Sequence, residues 1–235
     1  MSGWSARVFW TEVTVRPEGS GYGIQLDARK VRTPLKAPLV LPTEGLARAV
    51  AAEWQAQTGT VNPATMPFTR TANSAIDTVA LQFEAVAAML AAYGETDLLC
   101  YRATGPAALI DRQAAAWDPL LDWAAKALHA PLCVTQGVMH VNQPATSLVA
   151  LGAAVRALSP FRLAAFHDLV AISGSLVLGL AVTRGRLAAD EAWTLSRLDE
   201  TWQIELWGTD AEAAEITALK RAAFLQADRF FALCG

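Results

Sequence analysis

The stretch LVLPTEGLARAVAAEW, residues 39–54, contains the change of period that sets the fold class. Up to Leu41, β-branched and aromatic residues alternate with polar or small ones; beyond Pro42, apolar residues recur every three or four positions. Thr43 stands where a helix N-cap belongs, and Glu44 follows in the first turn, where the helix dipole favours an acid. Leu46, Val50 and Trp54 then repeat at four-residue spacing. A helix therefore begins at Thr43, and Trp54 is expected to be structural, covering the β region or a neighbouring helix.

Towards the amino terminus, Val8, Trp10, Val13 and Val15 read as a strand, Pro17-Glu18-Gly19-Ser20-Gly21 as a turn, and Tyr22, Ile24 and Leu26 as the returning strand. Asp27-Ala28-Arg29-Lys30 predicts a second hairpin turn leading into Val31. Pro34, Pro38 and Pro42 confine the next segments to edge strands or extended loops. The run Gly19-Ser20-Gly21-Tyr22-Gly23 lacks the G-x-G-x-x-G spacing, and no helix follows it to aim amides at a phosphate, so it reads as a flexible hairpin.

Towards the carboxyl terminus the pattern is helical. Ile76, Val79, Phe83, Val86 and Leu90 predict one long amphipathic helix, and Asp118-Pro119 and Ser159-Pro160 read as N-cap and N1 pairs that start helices. Asp97 reads as a cap for residues 98–102, and residues 132–141 as a short extended segment. The final helix, about residues 210–233, would lay Ile216, Leu219, Ala223 and Phe230 along one side. The uncharged run Leu169–Thr183 falls short of the roughly 20 residues that span a bilayer and reads as a buried helix or helix pair. These elements predict an α+β fold, with a small β-rich amino-terminal domain over residues 1–42 packed on a larger multihelical domain over residues 43–235.

Charged residues make up only 17% of the 235 residues, against a typical value of about 25%. The excess of alanine and leucine points to packed helices. A formal net charge of −3 offers no general attraction for nucleic acid or anionic lipid, so neither a nucleic-acid partner nor stable membrane insertion is expected. Cys100, Cys133 and Cys234 are scattered and odd in number, which defines neither a disulfide framework nor a paired zinc site and implies a reducing compartment. The start MSGWSARVFW lacks the apolar core and small-residue cleavage site of a secretory signal, so a cytoplasmic location is expected, or a mature form numbered after processing.

Catalytic chemistry finds little support. There is no G-x-x-x-x-G-K-[ST] loop and no G-x-S-x-G elbow, and His129, His140 and His167 have neither i, i+4 pairing nor a Cys or Glu at metal spacing. No cofactor, metal or catalytic residue is predicted. An enzyme reading would be a small hydrolase or transferase at the domain junction, using Asp97, Arg102 or His167.

The segment LSRLDETWQIELWG, residues 195–208, carries the strongest functional signal. As one continuous helix at about 100° per residue, it has Leu195, Leu198, Trp202 and Leu206 on one stripe, and Trp193, Ile204 and Trp207 on nearly the opposite side. Glu200 projects within the second stripe and Asp199 borders the first. Two readings stand open: a core helix whose acids pair with internal arginines, or a binding surface of aromatics and carboxylates. On the second, Asp199, Glu200, Trp193, Ile204, Glu205 and Trp207 bind a partner, and lysine at Asp199 or Glu200 damages function.

Six collinear blocks resemble one known family. They are Phe9-Trp10; Leu26-Asp27 with Val31-Arg32-Thr33-Pro34 and Leu39-Val40-Leu41-Pro42; Ala52-Glu53-Trp54-Gln55-Ala56-Gln57; Asp97-Leu98-Leu99-Cys100-Tyr101-Arg102; Trp117-Asp118-Pro119-Leu120-Leu121-Asp122-Trp123-Ala124; and Leu195-Ser196-Arg197-Leu198 through Gln203-Ile204-Glu205-Leu206-Trp207-Gly208. In this order they resemble the assembly chaperones of the F-type ATP synthase that bind the α subunit of its catalytic headpiece. The resemblance implies a β-rich domain joined to a helical one and no catalysis; the chain is expected to be a monomer. Such a chaperone shields the subunit interface of the unassembled α subunit until a β subunit replaces it. It further implies that the acid after Arg-Leu, here Asp199, matters, and that the compartment is the bacterial cytoplasm, or the mitochondrial matrix for a processed eukaryotic form.

Overall fold

The computed structural model describes residues 7–235; residues 1–6, the start of the stretch read above for targeting signals, lie outside the described residues. The chain forms two compact units. One comprises the residues up to Phe83 with Ser159–Ala165 and Arg229–Gly235; the other comprises Glu84–Leu158 and Phe166–Asp228.

In the first unit, β1 (Val13–Glu18) and β2 (Gly21–Leu26) form an antiparallel hairpin, from Val13 opposite Leu26 to Glu18 opposite Gly21. The turn needs Gly19, whose φ of 60° disfavours any side chain. The first strand opens at Val13 and not at Val8, because the Val8 amide instead donates to the Gly59 carbonyl at 2.8 Å. β3 (Arg29–Lys30) and β4 (Val40–Leu41) both pair antiparallel with β2, as short as their flanking turn and prolines dictate. Ile24, Leu26, Val31, Leu39 and Leu41 are buried with Leu46 and Val50 of α1 (Glu44–Gln55). Thr43 caps that helix, its hydroxyl accepting the Leu46 amide at 3.1 Å.

Trp54 is half-buried, edge-on to Trp10 at 5.4 Å between ring centroids, and its indole nitrogen is enclosed without an acceptor. Half-burial and an unmet N–H both lower its contribution below that of a fully enclosed tryptophan. Trp54→Ala is expected to lower stability by about 2 kcal/mol, read from the urea midpoint; an unchanged midpoint would remove Trp54 from the core. Its neighbour Glu53 accepts the Phe68 and Thr69 amides and the Thr69 hydroxyl, each at 2.7 Å. It thereby caps α2 (Pro67–Ser74), whose own N-cap, Met66, has no side-chain oxygen. Burial pushes the Glu53 carboxyl up, against the pull of these donors.

The long helix expected through Ile76 and Leu90 is interrupted. α2 widens into a π turn over Ala75–Val79, and after Ala80–Gln82 a separate α3 (Phe83–Ala91) begins. Asp77 sits in the π turn, its carboxylate accepting the Thr33 hydroxyl at 2.7 Å and the Leu35 amide at 3.1 Å. These tertiary partners are invisible to a periodicity argument.

In the second unit, β5 (Tyr101–Arg102) pairs in parallel with β6 (Thr135–Gln136), and most of the remainder is helical. α4 (Ala107–Ala127) begins after Pro106, so Asp118-Pro119 starts no helix; Pro119 lies inside one. The lost amide costs one bond, to the carbonyl of Ala115, an exposed residue, while buried Trp117, Leu120, Leu121 and Ala124 hold the helix on both sides. Asp118 instead lies 2.8 Å from Nη2 of buried Arg102. Ser159-Pro160 does open α6 (Pro160–Ser173), with the Ser159 carbonyl accepting the Leu163 amide at 2.7 Å. α5 (Ala145–Arg156) precedes it, and the uncharged run is the helix pair α6 and α7 (Leu176–Thr183), broken at Gly174.

Asp97 has no exposed surface. Its Oδ1 accepts the Leu99 amide at 3.1 Å and the Ser175 hydroxyl at 2.7 Å, and its Oδ2 accepts the Val177 amide at 3.0 Å. One carboxylate thus caps the turn Leu98–Cys100 and, through Ser175, the start of α7. Burial pushes its carboxyl up.

Candidate functional site

The segment from Leu195 to Gly208 is not one helix. α8 (Ala189–Ser196) ends where the Ser196 hydroxyl donates to the Trp193 carbonyl at 2.7 Å, and α9 (Leu198–Trp207) starts after Arg197. The break takes Trp193 off the face of Ile204 and Trp207. Trp193 is 6% exposed, packed 6.0 Å from the Phe224 ring with the Arg197 guanidinium over it, whereas Ile204 and Trp207 are 45% and 80% exposed. Trp193 thus belongs to the interior, and the two α9 residues face outward.

The three acids also differ. Asp199 Oδ1 accepts Nε2 of Gln113 at 2.7 Å; Gln113 is fully buried, and its Oε1 accepts the Ala103 amide at 2.8 Å. Glu205 takes both ends of Arg112, at 2.6 and 2.9 Å, and Arg112 also lies over the Trp202 ring. The Arg112 guanidinium holds the Glu205 carboxyl below its usual range. Consecutive α4 residues therefore fasten α9 at two points. Glu200 is exposed and pairs with Arg197 at 2.8 Å.

Asp199→Asn keeps an acceptor for Gln113 and is expected to change stability by less than about 0.5 kcal/mol, whereas Asp199→Lys strands the Gln113 amide and should cost about 2 kcal/mol. Chemical denaturation of both variants checks this; equal losses would show that the Gln113 bond is not what Asp199 supplies.

α9 stops at Gly208, whose φ of 87° is closed to ordinary side chains, and α10 (Ala211–Leu233) restarts under an Asp210 cap that accepts the Ala213 amide at 2.8 Å. The stripe expected along α10 is one face, but only half of it is covered. At about 100° per residue, Ile216 and Leu219 continue the face of Ala227, Phe230 and Cys234. The latter three are buried, while Ile216 and Leu219 are 48% and 67% exposed. Every residue from Gln203 to Glu215 is exposed, Leu206 among them. Between Leu198 and Leu219 stand six acids and no lysine or arginine. Leu206, Ile216 and Leu219 were missed as site candidates; the signal available was an apolar stripe longer than the partner it could find, running through an acidic stretch.

The residues of the enzyme reading are otherwise engaged. Asp97 and Arg102 are buried with structural partners, and His167 Nδ1 meets Asp168 at 2.9 Å, which raises the imidazole. Burial pushes the Cys100 and Cys234 thiols up to about 12. Among the described residues, no group of three or more His, Cys, Asp or Glu could hold a metal ion, and no single helix is long and apolar enough to cross a membrane.

The sequence model of the ATP12 chaperone protein family matches residues 7–125, just over half of the chain. The chain belongs to the ATP12 chaperone family. These are the ATP synthase assembly chaperones that the collinear blocks resemble. Among solved structures, Atp12 from Paracoccus denitrificans is 53% identical with a TM-score of 0.95, covering 98% of this chain and 99% of that one. An aspartate-to-lysine mutant of P. denitrificans Atp12p matches with the same identity and score over 98% of both chains. The Atu1473 protein of Agrobacterium tumefaciens is 41% identical with a TM-score of 0.91, over 97% of this chain and 85% of that one. The mitochondrial protein atp12 of Schizosaccharomyces pombe is 25% identical over 224 residues, 90% of this chain and 77% of the relative. The α+β architecture read from the change of period is that of these ATP12 structures.

Proposed function

We propose that this ATP12-family chaperone binds the unassembled α subunit of the ATP synthase headpiece through the exposed face of α9 and α10, and yields it when a β subunit offers a better complementary surface. The observation that carries the reading is the uncovered half of the α10 stripe: Ile216 and Leu219, with Ile204, Leu206 and Trp207, are exposed apolar side chains in a segment whose charges are all acidic. An isolated helix face of this kind gains by burial against another chain. Flanking acids favour a client that carries arginine or lysine beside its apolar surface.

The binding set proposed here is Ile204, Leu206, Trp207, Ile216 and Leu219, with Glu200 as one exposed acid beside them. Asp199 and Glu205 act behind it by holding α9 on α4, and Trp193 supports it from within. The activity is stoichiometric holding, without catalysis or nucleotide, by a monomer in the bacterial cytoplasm. A pull-down from a lysate containing both headpiece subunits tests the assignment: recovery of α is expected, and recovery of β alone would reverse it.

A further inference from the structure

A groove of about 670 Å³ runs along α4 in the second unit, apart from the exposed α9 and α10 residues. One wall is the helix stripe Ile110, Ala114, Asp118, Leu121, Asp122 and Ala125; the other is the extended segment from Pro131 to Gln136. We propose that this groove receives an extended segment of the client that carries a basic residue among aliphatic ones and adds as a strand to the free edge of β6. The proposal rests on the client reading above and assigns it a second contact.

The register of β5 and β6 points to strand addition. Arg102 lies opposite Gln136, and the Gly137 amide donates to the Arg102 carbonyl at 2.8 Å. In a parallel pair, the residues flanking Gln136 therefore make the bonds to β5, and the N–H and C=O of Gln136 point away from it. Val134, two residues back, has the same parity and makes no backbone-to-backbone hydrogen bond among the described residues. Such an edge is a template for another strand, and period-two side chains of that strand would fall on the apolar wall. Val134 is exposed, and beyond the strand Val138 and Met139 are more so, extending apolar surface past the groove's end.

Charge selects the occupant. Arg102, the cation in the groove, is buried, stacked over the Trp117 ring and matched by Asp118, so it offers no free positive charge. Asp118 is engaged in that pair, so the loosely held charge on the α4 rim is that of Asp122, whose contact to Lys126 is a long 3.9 Å between two solvated groups. The rim thus offers the Asp122 carboxylate, beside the outer face of Asp118, to a lysine or arginine.

Proline at position 136 removes the outward N–H but leaves the bonds to β5, which use the Gly137 amide, intact; alanine keeps the N–H. Affinity for purified α subunit is expected to fall about tenfold in Gln136→Pro and to stay within about twofold in Gln136→Ala. Hydrogen exchange on the unaltered chain gives a readout independent of either variant's folding: bound α subunit should slow the amides of residues 131–137 as well as those of 203–223. Slowing confined to 203–223, or equal affinity of Gln136→Pro and the parent, would overturn the groove while leaving the client reading intact. No slowing in either region would overturn both.

Discussion

Trp207→Asp combined with Leu219→Asp is expected to weaken capture of the α subunit by at least about a hundredfold, while the thermal midpoint stays within about 2 °C of the parent. The two side chains are 80% and 67% exposed, so folding gains little from them and their replacement leaves no cavity. At an interface each would surrender apolar burial worth about 1.5 to 3 kcal/mol, and each new carboxylate would add to a segment that already carries six acids. Titration of labelled α subunit against parent and variant, beside a melting curve of each, checks both halves. Binding retained to within a few-fold would remove this face from the client surface. A large fall in the midpoint would mean that the two residues are covered within the chain itself.

The second large effect is on stability. Asp97→Ala leaves the Leu99 and Val177 amides and the Ser175 hydroxyl without an acceptor in a fully buried site. Each stranded donor costs about 1 to 3 kcal/mol, so a loss of about 3 to 5 kcal/mol is expected, comparable to the total stability of many domains. Asp97→Asn keeps one acceptor oxygen but turns a donor towards one of the three, and should fall between the parent and alanine. The α subunit bound by any folded fraction of Asp97→Asn should be held with parental affinity, because Asp97 touches no exposed surface. A stable Asp97→Ala variant that has lost a specific activity would instead point to chemistry at this carboxylate.

Local signals carried the fold where the partner was near in sequence. The Thr43 cap, the hairpin at Gly19 and the Ser159-Pro160 start each involve residues a few positions apart. They failed where the deciding partner was remote. Pro119 is tolerated inside α4 because Trp117 and Leu120 are buried on either side of it, and the Ile76–Leu90 helix is interrupted beside Asp77, whose partners lie more than 40 residues away. The site shows the same division. The apolar and acidic content of Leu195–Gly208 was plain from its residues, yet the break at Arg197 that turns Trp193 inward follows from no spacing rule. Nor could periodicity distinguish the covered from the uncovered half of the α10 stripe, since Ile216 and Phe230 share one face and differ only in what lies against it.

The central claim is that this chain holds the α subunit by stoichiometric surface burial. Light scattering of α subunit diluted from denaturant into rising amounts of the chaperone measures this directly. Suppression of aggregation should saturate near one chaperone per α subunit, in the absence of ATP, and be reversed on adding β subunit. No suppression at any ratio, or suppression that requires ATP hydrolysis by this chain, would contradict it.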